Sequence, residues 1–411
     1  MTEAWIIDAC RTPRGIGKYG KGALSAMHPQ QLGASVLKAL AQRTGIDTGE
    51  IDDIIWGTSA QVAQQGGDLG RMAALDAGYS TLASGVTLDR YCGSGITAVS
   101  MAAASVMAGM EDLVVAGGTE MMSMPNRRRP EDAPTMDNGN LRLRARHPQT
   151  HQGICADAIA TLEGISREAL DDLGFLSQQR AKHAIENGHF DRSLVPVHHE
   201  DGSLALDREE YPRPQTTREA LSGLKPAFQA MADHPLDDQG TTYRSLILKK
   251  YPDLDIEFVH HAGNSSGVVD GAAALLLASP DYAKAHGLKP RARVVAMANM
   301  GDSPTLMLNA PGPAAKKVLK KAGMTLDDID LIEINEAFAV VTEKFIRDLN
   351  VDRDKVNVNG GSIALGHPIG ATGSILIGTL LDELERRNLQ RGLVTMCAAG
   401  GMAPAIIIER V

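Results

Sequence analysis

The stretch V-T-L-D-R-Y-C-G-S-G, Val86 to Gly95, decides the reading of this 411-residue chain. Apolar, β-prone residues lead into a lone cysteine, Cys92. Small residues follow, and Ile96 to Met110 carries no charge. That order predicts strand, tight turn and helix, with Cys92 at the helix start. Unpaired backbone N–H groups and the positive end of a helix dipole favour a thiolate there. The glycines let backbone donors approach a bound oxygen. A small buried thiol without chemistry fits the same stretch, because free cysteines are commonly interior. Taken alone, the stretch leaves both readings open.

Upstream, Ala4 to Ala9 reads as a buried strand. Pro29 to Arg43 is a helix with Leu32, Val36, Leu37 and Leu40 on one side, Ile51 to Ile55 a short strand, and Leu69 to Ala77 an Ala-rich helix. Downstream, Leu113 to Ala116 is a strand ending in Gly117-Gly118. The last third repeats this order. Arg293 to Met297 resembles the first strand, and V-L-K at Val318 echoes V-L-K at Val36. G-M-T-L-D-D-I-D-L-I from Gly323 echoes G-I-D-T-G-E-I-D-D-I from Gly45. H-P-I-G-A-T-G from His367 lies over C-G-S-G-I-T-A from Cys92, and L-V-T-M-C-A-A-G-G from Leu393 over L-V-V-A-G-G from Leu113. Order, more than any single match, implies a duplicated α/β unit. Pseudo-twofold packing then brings Cys92 and His367 together at two equivalent helix starts. The helices behind them, Ile96 to Met110 and Ala371 to Leu384, are apolar or small on most sides and are expected between two sheets.

The middle of the chain differs. Arg127 to Arg129 with Pro130 reads as a surface or subunit-contact loop. Helices are expected at Ile154 to Glu163 and at Arg167 to Asn187, the second capped by Ser166. Gln229 to Asp255 is polar without periodicity, and Val268 to Leu277 is a buried strand after the turn A-G-N-S-S-G. The expected division is 1–120 with 258–280 as the first half, 121–257 as an inserted loop domain, and 281–411 as the second half.

With 43% hydrophobic and 22% charged residues the chain is globular, and a net charge of −9 disfavours nucleic acid as a partner. No apolar run reads as long and uninterrupted enough to span a bilayer. Met1 to Arg14 reads as strand rather than signal peptide. Cys10, Cys92, Cys155 and Cys397 are far apart and lack metal spacing, so reduced thiols and a cytoplasmic location are expected. His260-His261 is no metal pair, since neighbours in a strand face opposite ways. No metal site is expected.

Three further stretches carry chemistry: N-E-A-F at Asn335, G-H-P at Gly366, and Cys397 followed by A-A-G-G-M. Two cysteines and a histidine beside glycines suit nucleophilic catalysis with proton transfer. With A-G-N-S-S-G at Ala262, these five ordered motifs make the chain resemble the thiolase family nearly end to end. The resemblance implies a thiolase-like fold of two duplicated mixed-sheet halves in αβαβα layers. It implies an acyl-CoA C-acyltransferase that cleaves or forms 3-oxoacyl-CoA by reversible Claisen chemistry. Cys92 matches the acylated nucleophile, His367 its activator, Cys397 the acid/base at the α-carbon, and Asn335 the holder of an oxyanion-hole water. Coenzyme A is a substrate, and no permanently bound cofactor is implied. Arg213, Phe228, Ser266 and His151 match coenzyme A-binding positions, and a homodimer or homotetramer is implied. A condensing enzyme acting on carrier-protein thioesters is a rival disfavoured by Cys397. A non-catalytic acyl-CoA-binding homologue is disfavoured by the filled catalytic positions. Two departures stand out: Gln152 replaces methionine in the H-M-G stretch, and Ala398-Ala399 replace glycines after Cys397.

Overall fold

The computed structural model describes residues 3–125 and 135–411, and Arg127 to Arg129 lie outside the described residues. Among the described residues ten strands form one hydrogen-bonded sheet, nine in a single path and the two-residue strand Gly15–Ile16 beside Val269–Ala278. From its outer edge inward, the first half runs Val86–Leu88, Asp53–Gly57, Leu113–Met121, Val269–Ala278 and Trp5–Arg11. The second half repeats this with Leu331–Ile334, Arg391–Thr395, Met402–Arg410 and Ala292–Gly301. Pairing senses repeat as well. Asp53–Gly57 is parallel to Leu113–Met121 as Leu331–Ile334 is to Arg391–Thr395, and the next two pairs in each half are antiparallel. The counterpart of Val86–Leu88 shrinks to one parallel bridge, Ile332 with Val356. The two sheets expected from the sequence are joined at their inner edges by only two residue pairs, Trp5–Arg293 and Ile6–Ala292.

The duplication also corrects one overlay. Ile54 pairs with Val115, and its equivalent Ile332 pairs with Leu393. Leu393 therefore corresponds to Val115, two residues away from the match of L-V-T to L-V-V. An even shift keeps every side chain on the same face, so the apolar pattern cannot detect it.

Alternation along the strands builds the layers. Ile55, Val114, Ala116, Leu275 and Leu277 face inward, and so do Val394, Ile406 and Ile408. Between these faces lie the two central helices, Ser94–Ala108 and Ile369–Arg386, which contribute Ile96, Val99, Ala102, Leu376, Leu380 and Leu384. The outward residues Ile54, Trp56, Val115 and Leu276 pack on helices Pro29–Thr44 and Leu69–Asp76. Ile332, Ile334, Leu393 and Ile407 pack under helices Pro311–Ala322 and Ala339–Leu349. Five layers result. Tyr91–Ala108 does have the length and mean hydropathy, 1.3, of a bilayer-crossing segment, contrary to expectation. It is a core helix, 61% buried, and reads as apolar because sheets cover both of its faces.

Among the described residues the inserted region has no separate core. Its helices Gln152–Leu162 and Arg167–Glu186 share a cluster with the second half, where Ile154, Ile159, Leu170 and Leu173 meet Phe338, Val340 and Phe345. Ser166 caps the longer helix by accepting from the Ala169 amide. The polar 229–257 segment contains two short helices that the sequence did not announce, Gln229–Ala232 and Tyr243–Leu248. One or two turns are too few to show a period.

Candidate active site

The helix behind Cys92 begins at Ser94, so Cys92 sits in the turn before it. Tyr91 holds φ at 50°, a left-handed conformation that costs a non-glycine residue of order 1–3 kcal/mol. The turn is tied down locally. The Tyr91 amide donates to Asp89 Oδ1 at 2.6 Å, Ser94 Oγ accepts from the Arg90 amide at 2.8 Å, and Ser94 Oγ donates to the Tyr91 carbonyl at 2.7 Å. Gly93 is required by packing, because a Cβ there would meet the Pro404 ring at 2.9 Å and Ala398 Cβ at 3.4 Å. The loop after Cys397 is thus pressed against the Cys92 turn.

Cys92 lines a cleft of about 710 Å³ together with Tyr91, His151, Gln152, Tyr243, Ile369 and Ala399. Cys397 lies behind it and is buried. Burial pushes its thiol well above the ordinary range, and charge on Cys92 pushes it the same way, so the two sulfurs are electrostatically coupled. Burial also pushes Cys10 up to about 12 and raises Cys155, and neither lines the cleft. The positive φ values in A-A-G-G fall on Gly400 and Gly401, so alanine is accommodated at 398 and 399. The Ala398 amide donates to the Met402 carbonyl at 2.7 Å, and it is Ala399 that reaches the cleft.

Three motifs converge on His367. Its backbone N–H donates to Gly267 O at 2.8 Å, Gly267 N–H donates to Ser362 O at 3.0 Å, and Ser266 N–H donates to Ala337 O at 3.0 Å. This stitches A-G-N-S-S-G to N-E-A-F and G-H-P. His367 Nδ1 lies 2.6 Å from Thr372 Oγ1, and that hydroxyl donates to Pro368 O at 2.9 Å. His367 Nε2 faces Asn335 Nδ2 at 3.3 Å, and Asn335 Oδ1 accepts from Ser362 Oγ at 2.6 Å. The Glu120 carboxylate, from the first half, accepts from Gly370 N–H at 2.8 Å at the start of the helix behind His367.

The four positions read as coenzyme A-binding spread over two places. His151 lines the cleft. Its Nδ1 accepts from Gly153 N–H at 3.1 Å, and burial lowers its pKa. Phe228 lies 5.6 Å from the His151 ring and 5.8 Å from Phe338. Ser266 is half-buried on the motif loop. Arg213 is exposed and does not line the cleft, and its guanidinium lies 5.5 Å above Tyr211, which packs on Gly267. His260 and His261 contact different carboxylates, Asp157 and Asp171, each at 2.8 Å. Among the described residues no group of three or more His, Cys, Asp or Glu is placed to hold a metal. Sequence reading missed Tyr243, Thr372 and Ser362. Thr372 was findable, one helical turn beyond Pro368 inside a quoted motif. Tyr243 was not, because its segment has no period.

Comparison with known proteins shows the family. Residues 4–232 match the family described as thiolase, N-terminal domain, and residues 288–410 match thiolase, C-terminal domain. The chain is 40% identical to an acetyl-CoA acetyltransferase of Syntrophomonas wolfei, covering 99% of each chain. It is 38% identical to the steroid 3-ketoacyl-CoA thiolase FadA6 of Mycobacterium tuberculosis, covering 100% of this chain and 95% of that one. The crystal structure of the Bacillus anthracis acetyl-CoA acetyltransferase superposes with a TM-score of 0.84 at 33% identity, covering 100% of this chain and 99% of that one.

Proposed function

Because the chain belongs to the thiolase family, we propose that its reaction centre is the Cys92 cleft and that the acyl group passes through a thioester on that sulfur. The protein is an acyl-CoA C-acyltransferase, and its reaction is the reversible thiolytic cleavage of 3-oxoacyl-CoA. In the cleavage direction His367 Nε2 takes the Cys92 thiol proton, and the sulfur attacks the 3-oxo carbon. The bond between C2 and C3 breaks, and the Cys397 thiol protonates the departing acetyl-CoA carbanion. The Cys397 thiolate then deprotonates incoming coenzyme A, whose sulfur displaces the acyl group. The Cys92 thiolate leaves and regains its proton from His367. Asn335, with a water, and the backbone N–H groups of Cys92 and Ala399 stabilise the two oxyanions, each donor contributing about 3 kcal/mol.

The observation that carries this assignment is the convergence of the motifs: Cys92 lines the cleft, the loop after Cys397 is pressed against its turn, and Asn335 meets the His367 ring. A thiol on Cys397 held neutral by burial suits an acid. Phe228, Ser266, His151 and Arg213 serve coenzyme A along a path that runs from the cleft past the motif loop toward the exposed arginine.

A second copy of the chain completes the assembly. Val86–Leu88 is the outermost strand of its sheet, with Val86 itself open to solvent and Leu82, four residues before it, 77% exposed. An open edge carrying apolar side chains favours symmetric pairing. Four free cysteines support a cytoplasmic location.

The test is cleavage of acetoacetyl-CoA by coenzyme A. Cys92→Ala is expected to reduce turnover to background. Iodoacetamide is expected to alkylate Cys92 far faster than Cys10, with protection by acetyl-CoA. Full turnover in the alanine variant would remove the nucleophile assignment. Faster turnover of carrier-protein thioesters than of coenzyme A thioesters would move the chain to the rival substrate class.

A further inference from the structure

The backbone of the G-H-P turn hangs on Gly267. His367 N–H donates to Gly267 O at 2.8 Å, and Gly267 N–H donates to Ser362 O at 3.0 Å. Both donors are backbone amides and both acceptors are carbonyls, so the direction of each bond is fixed. The Tyr211 ring lies directly on Gly267, where a Cβ would meet its Cε1 at 2.2 Å and its Cζ at 2.4 Å. The Arg213 guanidinium lies over the same ring, 5.5 Å from the centroid and within reach of a cation–π contact.

The stretch that carries Tyr211 is held along its length. Arg14 N–H donates to Glu209 Oε2 at 2.9 Å, Glu210 N–H donates to Arg14 O at 3.0 Å, and Ile16 N–H donates to Glu210 Oε2 at 2.7 Å. The Glu209 side chain is buried and pairs with Arg11 Nη1 at 2.6 Å, while Arg14 Nη1 reaches Gly366 O at 3.4 Å. Beyond Tyr211, Arg213 N–H donates to Gln178 Oε1 at 2.9 Å. The backbone on both sides of the ring is thus anchored. Between the anchors, one aromatic ring joins an exposed cation to the residue whose carbonyl holds His367.

An exposed arginine side chain keeps most of its rotamer freedom until an anion holds it. Binding energy from a remote part of a substrate accelerates the reaction only if it is realised at the reacting centre, and a misplacement of about 1 Å there costs of order a hundredfold. We propose that Tyr211 is a positioning residue that couples the anionic nucleotide end of coenzyme A to the reaction centre: the bound phosphate fixes Arg213 over the ring, and the ring steadies the Gly267 carbonyl that holds His367. This rests on the roles proposed above for Arg213 and His367.

The test sets the coupling against the nucleotide. Wild-type kcat for acetoacetyl-CoA is expected to be about tenfold or more above that for acetoacetyl-pantetheine cleaved by pantetheine, which lacks the phosphates and the adenosine. Tyr211→Ala is expected to lower kcat for acetoacetyl-CoA about tenfold and kcat for the pantetheine substrate less than about twofold. Tyr211→Phe, which keeps the ring, is expected to stay within about twofold of wild type on both. Equal losses on the two substrates would make Tyr211 a structural part only and overturn the proposal, and so would a loss confined to KM. A second measurement needs no turnover. Adenosine 3′,5′-bisphosphate, the nucleotide end of coenzyme A without its thiol, is expected to raise the rate of Cys92 alkylation by iodoacetamide about twofold or more in wild type and to leave it unchanged in Tyr211→Ala. No response in wild type overturns the proposal. A response that Tyr211→Ala abolishes, in an enzyme that cleaves neither thioester, would instead overturn the assigned reaction and leave the coupling standing.

Discussion

The two halves of the molecule share a strand order yet differ at the positions that matter. At the offset that aligns Gly45 with Gly323, Gly57 corresponds to Asn335 and Ile55 to Glu333. In the second half Asn335 reaches toward His367. In the first half Gly57 has no room for a side chain, since a Cβ would lie 2.8 Å from Gly370 O and 3.0 Å from Ser94. The strand that ends in Gly57 is thus a floor on which both central helices start. On the proposed assignment the duplication yields one reaction centre rather than two. One half supplies Cys92 and the floor, and the other supplies His367, Asn335 and Cys397. The outer edges differ in the same sense. Val86–Leu88 is open, while the equivalent edge near Val356 is covered by helix Arg167–Glu186, with Arg180 Nη1 donating to Val356 O at 2.6 Å.

The largest effect that sharpens this contrast is expected from Cys397→Ala. Overall turnover should fall about a hundred- to ten-thousand-fold, the usual worth of a positioned acid/base. Cys92 should still be alkylated, because its own half and His367 are intact. Parallel loss of alkylation would mean that the roles are not divided between the halves. Next, Gly57→Ala should destabilise the fold by about 1–3 kcal/mol in denaturant titration, the cost of overpacking a closed contact. An unchanged midpoint would break the account of the floor.

Glu333 offers a smaller, pH-dependent test. It faces the central layer, as Ile55 does, because Leu331 packs inward and Ile332 and Ile334 outward. Burial, followed by the charges of Glu336 and Glu383, raises its pKa well above the ordinary carboxylate value. A raised folded-state pKa means that the folded protein binds the proton more tightly. The associated stability is full below the ordinary carboxylate range and is lost as pH rises through the raised value. Glu333→Gln is expected to raise the melting temperature by a few degrees at pH 8 and to leave it nearly unchanged near pH 4. Equal effects at both pH values would contradict the buried-carboxyl reading.

The smallest effect is expected at the cleft wall. Gln152 is exposed there. Gln152→Met should shift kcat/KM two- to tenfold toward longer alkyl 3-oxoacyl-CoA substrates over acetoacetyl-CoA, since each buried methylene is worth about 0.8 kcal/mol. An unchanged ratio would place the acyl chain elsewhere.

Much of this was legible before any coordinates. Leu32, Val36, Leu37 and Leu40 marked their helix because one face repeats every 3.6 residues, and strand Val269–Ala278 is apolar from Ala272 on because both of its faces are covered. The duplication showed in motif order. Less legible were the two-residue shift of Arg391–Thr395, which alternation hides, and the short helices of 229–257. The placement of Arg213 away from the cleft was also hidden, since a charged loop residue looks the same in either place.

The sequence by itself determined the layer to which each long element belongs and the chemical types available, two thiols, an imidazole and an amide. Periodicity and side-chain chemistry are local properties, and they survive in one dimension. Only the tertiary structure decided that Asn335 meets the His367 ring, that Thr372 lies on its other side, and that Cys397 lies close enough to Cys92 to feel its charge. Those outcomes depend on partners hundreds of positions apart in the chain. They are set by the requirement that every buried donor find an acceptor, a condition that exists only once the chain has closed on itself.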